Sequence, residues 1–272
     1  ELARKNAQLK KEIDDVNEVI LLGKAALNSG NISEALSYFT EAQKKLPVSQ
    51  GEPDFSASKY SEMAKALWEA SQTESYLEQK RKLIDQAKTY AETAVSKNPK
   101  DASSHFIIGM YNLDKKDMPK ALESLTKAAT YDANNYLYFY NLGRVQYMLK
   151  KFTAAKSSFS TSCSLNSVFA PARYNLALTN LRLNDTKSAL SDLRKAHDID
   201  PRHEKAYLEE ARLLSRLSDL NGAITAYLNV IKINNMNRDA LNELAAVYSR
   251  AGKLSESESY FRKSLALLPQ NT

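Results

Sequence analysis

Small and large apolar residues recur along this chain with a period much longer than one helical turn. Ala121, Ala155, Ala189 and Ala223 are evenly spaced, each 34 after the last (155 minus 121), and the next step falls on Ser257. A second series, Gly109, Gly143, Ala177, Ala211 and Ala245, keeps the same spacing. Four residues after each member of the first series comes a large apolar side chain: Leu125, Phe159, Leu193, Tyr227 or Phe261. Four residues is about one helical turn, so the small and the large side chain share one helix face. The small residue lets a second helix approach closely, and the large one fills the space beside it. A third ruler agrees: Pro99 to Pro201 is three such intervals, and Pro201 to Pro269 is two. A proline just past a helix end cannot continue the helix and so marks a boundary. The pattern predicts helix pairs, each unable to bury its own apolar face until it stacks on its neighbours.

Towards the N-terminus the register slips. Ala87 precedes Ala121 by one regular interval, but Ala35 lies 52 before Ala87, and Pro47 likewise lies 52 before Pro99. The excess of 18 (52 minus 34) predicts a short linker, Gln50 to Ser56, and a lengthened second unit. Its first helix is expected over Asp54–Ser71, carrying Trp68, and its second over Ser75–Lys97. The layout is then an N-terminal helical extension over 1–15, a first repeat over 16–49, the linker over 50–56 and an extended repeat over 57–101. Five more repeats follow over 102–135, 136–169, 170–203, 204–237 and 238–271. The closing proline is replaced by Ala133, Ser167 and Asn235 in the third, fourth and sixth units, whose ends should be less sharply punctuated.

Composition narrows the function classes. Only seven glycines and seven prolines are present, which disfavours an all-β chain with its many turns. No apolar stretch approaches the roughly 18 residues of a spanning helix, so no membrane insertion is expected in this segment. The chain opens on Glu1, so the lack of a visible signal peptide says little about compartment. A net charge of +6 is mild: it suits an acidic partner but is too weak to imply nucleic acid, which is not the expected partner. One cysteine, Cys163, rules out an internal disulfide.

Chemistry-bearing motifs are missing. There is no Gly-rich phosphate loop, no His-Glu-x-x-His and no Gly-x-Ser-x-Gly. His197 and His203 flank Asp198 and Asp200, but the stretch falls where a helix ends and Pro201 starts the next unit. His105 reads as a packing residue. No histidine is placed to activate Cys163. Neither an enzyme nor a metal or cofactor site is expected.

The pattern resembles the tetratricopeptide repeat family, whose 34-residue unit carries Leu-Gly in the first helix, then Ala, an aromatic, Ala and a closing Pro. The first repeat matches through Leu22, Gly23, Gly30, Ala35, Phe39, Ala42 and Pro47. The resemblance covers all but roughly the first fifteen residues. It implies an all-α, right-handed α-solenoid of about seven helix-turn-helix repeats that works as a non-catalytic protein-binding adaptor.

In that family the first helices line a concave groove. Carrying over its positions gives Arg144, Arg182, Lys205, Arg212 and Arg216 against Glu209 in repeats four to six, a net of +4. Asn141 and Asn175 occupy the sixth repeat position, where peptide-binding relatives clamp the backbone of an extended peptide with a carboxamide. Asn242 falls one position early. Tyr140, Tyr147 and Tyr174 add amphipathic contact area. The resemblance thus implies a site for an extended, acidic protein segment on Tyr140, Asn141, Arg144, Tyr147, Tyr174, Asn175, Arg182, Arg212 and Arg216.

Two features leave alternatives open. Leu2, Asn6, Leu9, Ile13 and Val16 alternate by four and three, which reads either as a coiled-coil seam for a homo-oligomer or as a helix capping the first repeat. The last repeat ends at Leu268 and Pro269 with no polar helix after it, so Tyr260, Leu265 and Leu268 are candidates for a further contact. A structural subunit of a larger assembly, or the substrate-recruiting arm of a longer multidomain protein, are the competing functions.

Overall fold

A helix hairpin repeats along the chain because the same short-range chemistry recurs at every hairpin. The computed structural model describes residues 2–46, 53–74 and 77–267, and all fourteen elements among them are helices. Contacts divide the chain into two units, 1–145 and 146–272. In the first lie α1 (Leu2–Asn28), α2 (Ile32–Lys45), α3 (Pro53–Thr73), α4 (Leu77–Lys97), α5 (Ala102–Asp114), α6 (Met118–Tyr131) and most of α7 (Tyr136–Met148). In the second lie α8 (Phe152–Leu165), α9 (Ala170–Arg182), α10 (Thr186–Ile199), α11 (Glu204–Arg216), α12 (Leu220–Ile233), α13 (Arg238–Arg250) and α14 (Leu254–Ala266).

Side-chain caps set several of the helix starts, though not those of α2, α8, α9 and α14. The carboxylates of Asp101, Asp117, Asp185 and Asp219 accept the backbone N–H three residues on, and the Asn237 side chain does the same for Ala240. Each satisfies a donor that the first helical turn would otherwise leave orphaned.

Helix ends correct one expectation. The repeats that lack a closing proline end as sharply as the others, because an Asx turn makes the boundary. Asn98, Asp132, Asn166, Asp200 and Asn234 keep the interval of the alanine series. Each accepts the backbone N–H two residues on, at 3.0–3.2 Å. A side-chain oxygen that mimics a backbone turn stops the helix without proline.

Outside the long second hairpin, the turn inside each hairpin needs a left-handed residue. Gly30 and Gly252 supply it with φ of 74° and 75°. Lys116, Lys150, Asn184 and Ser218 hold the equivalent place at φ of 59–62° despite their side chains. For a lysine this conformation costs roughly 1–2 kcal/mol that glycine does not incur. Lys150→Gly should therefore raise stability by about 1 kcal/mol, and Asn184→Gly by less, because Asn tolerates this region. Urea unfolding midpoints check this, and a Lys150→Gly protein no more stable than its parent would refute it.

The core is built as the periodic series imply as far as Tyr227, whereas Phe261 at the end of the large apolar series is exposed. Ala121, Ala155, Ala189 and Ala223 are fully buried, as are Leu125, Phe159 and Leu193, and Tyr227 is nearly so. A Cβ added to Gly23 would meet the Phe39 ring at 2.5 Å, and one added to Gly109 would meet Leu125 at 2.7 Å. Glycine at these two places is thus a packing requirement. In the long second hairpin, Met63, Ala64 and Leu67 of α3 pack with Leu83, Ala87 and Tyr90 of α4, and Trp68 packs edge-on to Phe106 at 6.4 Å. Pro47, linker positions 50–52, Ser75, Leu268, Pro269 and the Leu2 side chain lie outside the described residues; linker positions 53–56 open α3.

Candidate functional site

The expected site residues fall on both sides of the unit division. In the first unit, Tyr140, Asn141 and Arg144 lie on α7. Asn141 is buried: its Nδ2 donates to the Leu137 carbonyl at 2.9 Å, and its Oδ1 accepts from Arg144 Nη1 at 2.8 Å. Arg144 also lies over the Tyr140 ring, 5.8 Å from its centroid. The three side chains hold one another.

In the second unit, Asn175 Nδ2 donates to the Pro171 carbonyl at 2.8 Å, one turn back along α9. Tyr174 packs against the His203 ring at 4.9 Å, and burial, followed by the nearby Glu209 charge, pushes its phenol up to about 12. It stays neutral at physiological pH. Arg182 Nε donates to the Tyr147 hydroxyl at 3.1 Å.

Arg212 sits at the centre of the densest polar network here. It donates twice to Glu243, from Nε at 2.9 Å and from Nη2 at 2.8 Å, and once to Glu209 at 3.0 Å. The Tyr227 hydroxyl donates to Glu243 Oε2 at 2.8 Å, the oxygen that also accepts from Arg212 Nε. Burial works against ionisation of Glu243, but Arg212 and Tyr227 more than offset it and hold its pKa below the usual glutamate value. Arg212 therefore contributes far less free positive charge than the sequence implies. The sequence also hinted at this. Glu209 and Glu243 occupy the sixth repeat position, where Asn141 and Asn175 stand in earlier repeats, and Arg212 occupies the ninth.

Beside this network opens a cleft of about 460 Å³ lined by α11, α13 and Tyr227 of α12. Arg212, Arg216 and Arg250 meet Glu209 and Glu243 there, with Ser215, Ala246 and Val247 completing the wall. Arg250 donates to the Ser215 hydroxyl at 2.8 Å and to its carbonyl at 3.1 Å. Arg216 is exposed and makes no hydrogen bond or ion pair among the described residues. Of the cleft residues, Arg212 and Arg216 were among the nine expected site residues.

Elsewhere, His197 Nε2 lies 2.8 Å from Glu210, which also accepts from Arg194, and its ring stacks on Tyr207 at 4.1 Å. This is a closed packing network. At the N-terminus, α1 runs unbroken from the extension into the first repeat; Asn6 is exposed, Leu9 and Ile13 are half-buried, and Val16 is buried.

Sequence models described as tetratricopeptide repeat match residues 75–136 and 208–272, and a further one matches 170–203. The chain belongs to the tetratricopeptide repeat family. That fold is a protein–protein interaction scaffold. Among characterised relatives, the chain is 25% identical over 182 residues to the BBSome complex member bbs-4 of Caenorhabditis elegans, covering 63% of this chain. It is 38% identical over 79 residues to the TPR repeat-containing protein MJ1428 of Methanocaldococcus jannaschii, covering 29% of this chain. Those matches span 39% and 14% of the two relatives' lengths. Solved structures of the same fold include PilF of Pseudomonas aeruginosa, with a TM-score of 0.63 at 20% identity, covering 78% of this chain and 95% of that one. YrrB, described as a TPR protein with an unusual peptide-binding site, has a TM-score of 0.59 at 18% identity, covering 66% of this chain and 93% of its own.

Proposed function

We propose that this protein is an adaptor that captures an extended segment of a partner protein on the first helices of its later repeats. The observation that carries this reading is the cleft between α11 and α13, where three arginines surround a small-residue floor at Ala246 and Val247. An extended peptide offers backbone groups and alternating side chains to such a wall, and arginine is the side chain suited to its carboxylates. The chain's net charge of +6 favours an acidic segment over a basic one. Asn175 supports the reading less than its position implies, since its amide nitrogen already bonds within α9.

Ala246 is exposed at the ninth position of its repeat, so a large side chain there fills the cleft without entering the core. Peptides selected from a random library against the full chain should be acidic, and Ala246→Trp should abolish their binding while leaving the helical spectrum unchanged. Binding that survives Ala246→Trp would sink this reading. It would favour a subunit role through α14, where Phe261 and Leu265 are 41% and 62% exposed. Being a BBSome complex member is what the bbs-4 relative's name says of it, and supports that second reading.

A further inference from the structure

We propose that Arg182, Arg216 and Arg250 form a column that reads carboxylates along an acidic peptide, with Arg216 as the principal contact. This deepens the groove reading above and rests on it.

The three arginines are spaced by one repeat each, and each is the last residue of its helix, α9, α11 or α13. A cation is favourable there because the helix C-terminus carries partial negative charge. Two of the three are tethered by one device. Arg182 reaches back 35 residues to the Tyr147 hydroxyl, and Arg250 reaches back 35 residues to Ser215. In both cases the acceptor stands one repeat earlier and one position before the arginine's own. These acceptors are neutral, so each guanidinium is oriented while its charge stays available. The tether nevertheless occupies N–H donors, so each of these two forks has fewer left for a carboxylate than an untethered one.

Arg216 breaks the pattern. The same register places Leu181 opposite it, and leucine has no acceptor. Arg216 is accordingly exposed, with no hydrogen bond or ion pair among the described residues. Its planar fork of donors is left free to take a carboxylate bidentately. Arg212 is excluded from the column, because Glu209 and Glu243 already engage it.

The same cleft argues for a peptide over a nucleic acid. Three arginines against Glu209 and Glu243 leave the cleft a net of only +1 (3 minus 2), too little to track a continuous phosphate backbone. The aromatic in its wall, Tyr227, is buried and bonded to Glu243, so it offers no face for base stacking.

The test is fluorescence anisotropy on the full chain with a labelled peptide of alternating Glu and Ala, beside its Gln and Ala counterpart. The acidic peptide should bind and the glutamine peptide should not. Arg216→Gln should weaken binding about tenfold, whereas Arg262→Gln on α14 should leave it unchanged. Leu181→Ser gives Arg216 the kind of acceptor that Ser215 gives Arg250, and should weaken binding about threefold without altering charge. Leu181→Ala serves as its packing control. Equal binding of the two peptides, or Arg216→Gln behaving like Arg262→Gln, overturns the column while the groove reading stands or falls on Ala246→Trp alone. Leu181→Ser binding as tightly as Leu181→Ala also overturns it, as does a single-stranded oligonucleotide binding more tightly than the acidic peptide.

Discussion

Leu193→Ala should destabilise the unit spanning residues 146–272 by about 3–5 kcal/mol, near the upper end for a leucine truncated in a core. Leu193 is fully buried, and its cluster contains Ala177 of α9, Ala189 and Ala196 of α10, and Ala206 and Leu213 of α11. Its fully buried neighbours are mostly alanines, which have no rotamers with which to fill a void; only Leu213 and the partly buried Tyr174, Leu181 and Leu190 could shift toward one. Closing the cavity would require three helices to move together, so much of it should persist and the cavity cost adds to the lost transfer energy. In a stack of repeats the loss falls on two interfaces at once, since α9 and α11 both lean on this side chain. Leu228 of α12 is the control: it is 38% exposed, and Leu228→Ala should cost under about 1 kcal/mol. Urea denaturation followed by helical ellipticity measures both. A Leu193→Ala cost as small as that of Leu228→Ala would show that the alanine-lined site collapses after all.

Arg212→Met should cost about 1–3 kcal/mol at neutral pH, discounted from the value for a fully buried pair because Arg212 and Glu243 are each about a third exposed. The substitution leaves Glu209 and Glu243 facing the same space without their shared cation. The pH dependence separates this from a packing loss. In the native protein the pKa of Glu243 is depressed, so its contribution is present above the unfolded glutamate value and is lost as pH falls through the folded one. In Arg212→Met that contribution is gone, because Glu243 loses the cation that favours its ionised form. The gap between the two proteins should therefore be widest near neutrality and close as pH drops below about 4.3, the ordinary glutamate value. A gap of constant size across that range would assign the effect to lost packing of the arginine stem.

The repeat was legible because its physical basis is local and periodic. A small residue that admits a neighbouring helix, and a large one a turn later that fills the gap, must recur in every unit if the units are to stack. That requirement is written into Ala121 through Ala223 and Leu125 through Tyr227. The Asx turns at Asn98, Asp132, Asn166, Asp200 and Asn234 are equally periodic, though a reading that looks to proline for its boundaries passes over them. The long second hairpin was visible too, as a break in register.

The state of the charged side chains was decided elsewhere. Counting Arg212 as free charge failed because its partner Glu243 is 31 residues away, on the first helix of the next repeat. Arg182, Arg216 and Arg250 look alike in sequence, yet only the stacking of one repeat on another gives the first and last a neutral acceptor, while Leu181 holds the equivalent register position for Arg216. By itself, then, the sequence determined the helical hairpin, its length and its buried face, because those follow from periodicity within a few turns of chain. Tertiary structure alone decided which polar groups are engaged and which are free to meet a partner, because a long side chain's partner is set by what the next repeat brings within reach.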